Sequence, residues 1–191
     1  DKEAVRRALP EAQQGDEALL RQLGHFWYED REMAKFIAAV RAQYPDSLFL
    51  IIGDHADRYN VRRTPGKYER YAIPFIVAGR GVTPSLFPSD AAGSQIDVVP
   101  TLVEMIAPAG FSYTALGQSL TRGNRQGVNY LLWVTKDAIG LADTRPLAGV
   151  PLHGGAAVPL KDEAALSDYI DAVRAISWWR AKYGASLEAA R

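Results

Sequence analysis

The apolar run Leu48–Ile52 constrains the fold more than any other feature of this sequence. Five apolar residues follow one another there without alternation, which is typical of a central strand covered on both faces. Before it, apolar residues recur at spacings of three, four and seven from Glu17 to Tyr44, the pattern of an amphipathic helix. Asp16 is the expected N-cap of this helix and Pro45 its end. A helix followed by a buried strand predicts an α/β fold.

Further elements are predicted along the rest of the chain. A second strand is expected over 73–78, beside the first one, in a mixed, mostly parallel sheet flanked by helices. A helix capped by its first residue is predicted over 97–106. Residues 128–134 and 138–142 indicate a hairpin, and 162–183 a final amphipathic helix. The last part of the chain is therefore expected to form a smaller C-terminal antiparallel subdomain.

Composition excludes several classes of protein. A chain of 191 residues with 48% hydrophobic content can bury one core, so a single domain over 1–191 is expected. Lys plus Arg equals Asp plus Glu at 22 each, which gives no overall field for binding nucleic acid. Cysteine is absent from the sequence, so thiolate nucleophiles and Cys-rich zinc sites are excluded. No apolar stretch approaches the roughly 18 residues of a transmembrane segment.

An adjacent carboxylate and imidazole follow the first apolar run. Asp54 and His55 come after Gly53 at the expected end of the strand, at the edge of the sheet where α/β folds usually bind ligands. Carboxylate oxygen and imidazole nitrogen are common ligands of divalent metals. The pair therefore predicts a metal site, although strand-end hydrogen bonding without a metal would give the same two residues.

The loop after His55 is rich in cations. Between His55 and Ile73 the positively charged residues are Arg58, Arg62, Arg63, Lys67 and Arg70. They outnumber Asp57 and Glu69, the acidic residues of the same loop, and would repel a nearby metal ion unless an anion also bound there. The loop therefore favours a phosphate- or sulfate-bearing substrate, and the alternative is a solvated surface loop.

Several short motifs follow one another along the chain. They are Trp27-Tyr28-Glu29-Asp30, Gly53-Asp54-His55, Lys67-Tyr68-Glu69, Ile73-Pro74-Phe75-Ile76-Val77, Ser94-Gln95-Ile96-Asp97, Pro100-Thr101-Leu102 and Leu116-Gly117-Gln118-Ser119-Leu120. Their order resembles the C-terminal half of the sulfatase family, in the alkaline-phosphatase superfamily. They make 16–121 a family-like core, followed by a hairpin and helix over 122–191. The Asp-His pair and the 73–82 segment look closest to the lipoteichoic acid synthase and phosphoglycerol transferase branch.

The resemblance implies a metal-dependent hydrolase or transferase of phosphate or sulfate esters. Asp54 and His55 match two ligands of one divalent ion (Mn, Mg, Ca or Zn), in a site that is incomplete in this chain. Lys67 matches a lysine that contacts the substrate anion, and Arg58 is the second expected substrate-binding residue. The family's hydroxyl nucleophile and first acidic ligand would precede Asp1, so no catalytic residue is assigned here. The Cys/Ser-x-Pro-x-Arg pattern of formylglycine sulfatases is not present.

The resemblance also implies partners and a location. The partners would be the phosphate- or sulfate-bearing substrate and the N-terminal half of the same domain. The longer parent would be a bacterial protein anchored in the inner membrane, with a periplasmic or extracellular catalytic domain. Two other functions stay open from the sequence: a noncatalytic α/β module that binds an anionic ligand on the basic loop, and an interaction domain that uses the C-terminal helix.

Overall fold

A computed structural model describes residues 2–56, 64–152, 160 and 162–184 of the chain. The chain divides into two compact units, an N-terminal unit, Asp1–Val82, and a C-terminal unit, Thr83–Arg191. The single domain expected from the sequence stays a prediction. Within the described ranges, no helix is both long enough and apolar enough to cross a membrane.

The N-terminal unit combines helices with a two-stranded sheet. Its elements are α1 (Lys2–Ala8), a 3-10 turn (Glu11–Gln13), α2 (Glu17–Gln43), β1 (Leu48–Ile52), α3 (Lys67–Tyr71) and β2 (Phe75–Gly79). Both predicted strands are therefore present, and the second begins two residues later than expected. The short helix α3 lies in the basic loop, where the sequence predicted no helix.

The long helix α2 begins and ends where its sequence predicted. The Asp16 carboxylate accepts hydrogen bonds from the backbone N–H groups of Ala18 and Leu19, at 3.1 and 3.0 Å. Two donors that would have no partner inside the helix are satisfied in this way. Leu20 is the buried residue of α2, and the predicted apolar stripe is otherwise half-buried or exposed. The periodicity was sufficient to predict the helix but not how completely its apolar face is covered.

The first sheet confirms the α/β class and corrects the strand direction. β1 and β2 are neighbours, as predicted, but they pair antiparallel, with Leu48 opposite Gly79 and Ile52 opposite Phe75. No parallel pair occurs among the described strands. An apolar run predicts that a strand is covered, but it does not specify the direction of the neighbouring strand. The expected cover on both faces is also not seen, because β1 is half-buried and Ile52 is 39% exposed.

The C-terminal unit contains a four-stranded sheet and two helices. Its elements are a 3-10 turn (Gln95–Asp97), α4 (Val98–Ile106), a second 3-10 turn (Leu120–Arg122), β3 (Gly127–Val128), β4 (Leu132–Val134), β5 (Ala138–Leu141), β6 (Gly149–Pro151) and α5 (Glu163–Tyr183). The strands follow the order β3-β4-β5-β6, and every pair is antiparallel. The antiparallel C-terminal region and its last helix are thus as predicted.

One predicted strand is divided in two. Residues 128–134 contain β3, a turn and β4, because the Asn129 side chain oxygen accepts the N–H groups of Leu131 and Leu132 at 2.8 and 2.7 Å. Asparagine commonly forms such a turn by bonding the backbone two residues further on. The turn lets β3 and β4 pair as a second hairpin beside that of β4 and β5.

The core of the C-terminal unit is built around Trp133. This indole is fully buried on β4 and packs with the inner face of α5. The buried cluster is Val128, Trp133, Ala138, Ala142, Leu147, Leu166, Ile170 and Val173. A Cβ atom at Gly140 would lie 2.4 Å from the Trp133 ring, so the sheet accepts the indole only because that position has no side chain.

Candidate functional site

The end of β1 holds the two predicted metal ligands. After Ile52, the backbone N–H of Gly53 donates to the carbonyl oxygen of Pro74 at 3.2 Å, one residue before β2 begins. This bond extends the pairing of the two strands beyond the ladder. Asp54 and His55 therefore follow directly on a backbone position that is fixed by the sheet.

The side chains of Asp54 and His55 lie side by side. The Asp54 Oδ2 atom is 3.6 Å from the His55 Nε2 atom, and the other carboxylate oxygen accepts the backbone N–H of His55 at 2.9 Å. The Asp54 side chain is 90% exposed and that of His55 42% exposed. One carboxylate oxygen is thus held by the backbone, while the other is next to the imidazole at the surface.

This donor set fits a divalent ion. Two atoms that each bind one ion at about 2.1 Å can be at most about 4.2 Å apart, and the observed 3.6 Å is within this limit. One oxygen and one nitrogen donor suit Mn²⁺, Mg²⁺ or Zn²⁺ in different degrees. Within the described part of the chain, no group of three or more His, Cys, Asp or Glu residues is close enough to hold a metal. The pair supplies two ligands, fewer than a stable site requires.

The predicted anion-binding residues are only partly described. Lys67 is the first residue of α3 and is half-buried. Arg70, on the same helix, donates through Nε to the Pro65 carbonyl at 3.3 Å, so it helps to hold the turn before the helix. Arg58 lies outside the described residues. The structure brings Asp54 and His55 together and positions Lys67 on a helix of the same unit.

A second polar centre, in the C-terminal unit, was predicted only as a helix cap. Asp97 is fully buried, and its carboxylate accepts the backbone N–H groups of Ser94 and Gln118, each at 2.7 Å. No side-chain cap bond to α4 forms. Desolvation raises the pKa of Asp97 to about 6, and the hydrogen bonds from Gln118 and Ser94 oppose this increase. Asp97 is thus the N-cap residue of α4, as predicted, but its carboxylate joins two loops instead of bonding to the helix.

Neighbouring motif residues complete this network. The Ser94 hydroxyl donates to the Val128 carbonyl at 2.7 Å, and the Thr101 hydroxyl donates to the Asp97 carbonyl and accepts the N–H of Leu120. A Cβ atom at Gly117 would lie 2.2 Å from a backbone oxygen and 2.6 Å from the Asp97 carboxylate. Ser94, Asp97 and Thr101 therefore have a structural role, together with the segment Gly117-Gln118-Ser119. Their spacing was visible in the sequence, but the partners of Asp97 were not.

Comparison with known proteins gives one match. The family model described as Sulfatase matches residues 3–107. This range covers more than half of the chain, including Asp54, His55, Lys67 and Asp97. The chain matches no curated protein and no solved structure.

Proposed function

Since the chain belongs to the sulfatase family, we propose that it is the C-terminal part of a metal-dependent phosphate- or sulfate-ester hydrolase or transferase. Within the family we favour the lipoteichoic acid synthase and phosphoglycerol transferase branch. The observation that carries the proposal is the pair of Asp54 and His55, whose donor atoms lie 3.6 Å apart at the end of β1. The pair lies inside the segment that matches the family.

In this proposal the residues of the chain have separate roles. Asp54 and His55 hold one divalent ion through carboxylate oxygen and imidazole nitrogen. A bound divalent ion would polarise the ester and stabilise the negative charge that develops on its oxygens. Lys67 and Arg58 contact the substrate anion and offset its charge. The hydroxyl nucleophile and the remaining ligands come from the N-terminal half of the same domain.

The exposed apolar surface of the N-terminal unit supports the proposed missing half. Phe36, Tyr28 and Tyr44 on and after α2 are each more than 60% exposed, and Ile76 on β2 is 49% exposed. Large apolar patches on a protein surface commonly mark an interaction site. A further protein segment packed on this unit would cover side chains of this kind. We further propose that the parent is anchored in the inner membrane, with its catalytic domain in the periplasm or outside the cell.

The proposal is tested with alanine variants of a longer parent that contains the N-terminal half. Asp54→Ala and His55→Ala should each lose most ester hydrolysis and most bound metal, while the circular dichroism spectrum stays unchanged. Asp46→Ala and His25→Ala are matched controls, because both residues are exposed and belong to the same unit. Metal content is measured by mass spectrometry, and hydrolysis with phosphate and sulfate esters of nitrophenol.

Lys67 has a different expected effect. Lys67→Ala should raise KM more than it lowers metal content, because its proposed partner is the substrate anion. Lys35→Ala, on α2, is the matched control for loss of one lysine. Wild-type hydrolysis in both the Asp54 and the His55 variant would reject the metal assignment. If those variants also kept sulfate or phosphate binding, a noncatalytic anion-binding module would be the better description.

A further inference from the structure

A polar cleft of about 560 Å³ lies in the C-terminal unit, between the 116–126 segment and the first turns of α5. Its volume is in the range of small-molecule sites, about 300–1,000 Å³. Its wall is formed mainly by groups that donate or accept hydrogen bonds, including Glu104, Tyr113, Gln118, Asn124, Gln126 and Tyr169. Most small-molecule sites are lined by apolar side chains. The polar lining therefore points to a ligand with many polar groups.

Asn124 leaves one hydrogen-bond donor of the wall without a partner. The residue is 7% exposed, its backbone carbonyl accepts the N–H of Ala92, and its Oδ1 atom accepts the N–H of Gln126. Because the Gln126 N–H needs an acceptor, the Asn124 side-chain amide is oriented with its Oδ1 atom toward that group. Its Nδ2 group is then buried with no acceptor among the described residues. Buried donors of this kind are rare in folded proteins and usually have a water or ligand partner.

Tyr169 adds a second buried polar atom to the same wall. Its hydroxyl has no hydrogen bond of good geometry within the described residues, although the Gln118 side chain lies close enough to act on it. Tyrosine offers an apolar ring as well as a polar tip. The cleft wall thus combines unpaired polar atoms with aromatic rings.

The arginines at the cleft do not favour an anion. Arg122 makes a paired contact with Glu104, with Nε at 3.0 Å and Nη2 at 2.6 Å from the two carboxylate oxygens. Arg125 contacts the Asp90 carboxylate at 2.6 Å. An anion would compete with these carboxylates for the same arginines, and it would meet the negative charge of Glu104, whose side chain is only 20% exposed. The charges of the cleft are therefore compensated before any ligand binds.

From these contacts we propose that the cleft binds a neutral polyhydroxylated ligand, a sugar or a related polyol. A hydroxyl group both donates and accepts, so it suits a wall that carries donors and acceptors together. Side-chain amides at Gln118 and Gln126 offer the same two functions. The cleft belongs to the C-terminal unit and the Asp54 and His55 pair to the N-terminal unit, and occupation of the cleft does not depend on ester chemistry.

The test is a titration of the ¹⁵N-labelled full chain, followed by nuclear magnetic resonance. The probes are maltotriose, sorbitol and glucose 6-phosphate. Maltotriose should shift the side-chain amide signals of Asn124 and Gln126 in a saturable manner. Gln126→Ala keeps the backbone N–H that Asn124 accepts, so it should preserve the fold and weaken binding about 5-fold, as expected for loss of a neutral hydrogen bond or two. Gln95→Ala, an exposed glutamine of the same unit, should leave binding within about twofold.

The outcomes separate the sources of the ligand. Tighter binding of maltotriose than of sorbitol supports a ring sugar, and equal binding supports an open-chain polyol, both within the proposed class. The proposal fails if neither neutral probe gives a saturable shift, or if Gln118→Ala and Gln126→Ala both bind like the wild type. Tighter binding of glucose 6-phosphate than of both neutral probes would also overturn it, because the cleft would then select an anion.

Discussion

The two units differ in how they bury their apolar residues. In the described part of the N-terminal unit, Val5 and Leu20 are the buried hydrophobic residues, while aromatic side chains of α2 are largely exposed. The C-terminal unit has a continuous core around Trp133. Yet most of the family match, and the Asp54 and His55 pair, belong to the N-terminal unit. The unit with the candidate chemistry is thus not the one with the stronger core.

The largest effect is expected in the core of the C-terminal unit. Trp133→Ala should lower the free energy of unfolding by about 3–5 kcal/mol, because it removes a fully buried indole and leaves a cavity. Urea unfolding followed by circular dichroism measures the change. Trp178→Ala is the control, since this indole is 61% exposed and its loss should cost less than about 1 kcal/mol. Equal effects of the two substitutions would contradict the assigned core.

Asp97 should make the C-terminal unit sensitive to pH. Its pKa is raised from 3.8 to about 6 by burial. Because the folded-state pKa is the higher one, the stabilisation by this carboxyl is complete below about pH 4 and is lost as the pH rises through 6. A shift of about 2 pH units corresponds to about 3 kcal/mol. Asp97→Asn removes this titration and turns an amide donor toward the N–H of Ser94 or Gln118.

The measurement for Asp97 is the free energy of unfolding at pH 4, 5, 6 and 7.5. The free energy of unfolding of the wild type should exceed that of the Asp97→Asn variant by the largest amount at low pH. This difference should shrink by up to about 3 kcal/mol at high pH. Asp137→Asn, at an exposed position, is the matched control for replacing one aspartate of this unit. A difference that stays constant across this range would mean that Asp97 does not titrate as described.

A smaller effect is expected at the beginning of α2. Asp16→Ala removes the cap of the Ala18 and Leu19 N–H groups and should lower stability by about 1 kcal/mol. Asp30→Ala, at an exposed position within the same helix, should be neutral or slightly stabilising, since alanine is the better helix former. Thermal unfolding monitored at the helical circular dichroism band compares them. An Asp16→Ala variant as stable as Asp30→Ala would show that the N-terminal unit does not depend on this cap.

The smallest change in stability is expected on the exposed face of α2. Phe36 is 64% exposed, so Phe36→Ser should alter the free energy of unfolding by about 0.5 kcal/mol or less. It should, however, weaken self-association of the chain, because exposed apolar surface promotes it. Sedimentation velocity over a range of concentrations tests this, with Lys35→Ser as the neighbouring control. If the wild type is a monomer at every concentration, the exposed face of the N-terminal unit needs no cover.

The sequence by itself determined where most elements lie. The apolar period of α2, its Asp16 cap, the run of β1 and the apolar face of α5 are local patterns, and the structure has each at the predicted place. Adjacency in the chain was also enough to bring Asp54 and His55 together, because neighbouring residues after a strand end share one location. Their binding of a metal, and the role of Lys67, stay predictions.

Only the tertiary structure decided the direction of the strands, the cover of β1 and the partners of Asp97. Strand direction depends on how the chain returns to the sheet, and the residues of one apolar run do not specify this path. The Asp97 carboxylate meets Gln118 across 21 positions of the chain, so the sequence located Asp97 at the start of α4 but did not show this partner. The polar cleft has the same origin, because its wall combines α4, the 116–126 segment and α5. Local patterns specify elements, whereas burial and hydrogen bonding between distant residues require the folded chain.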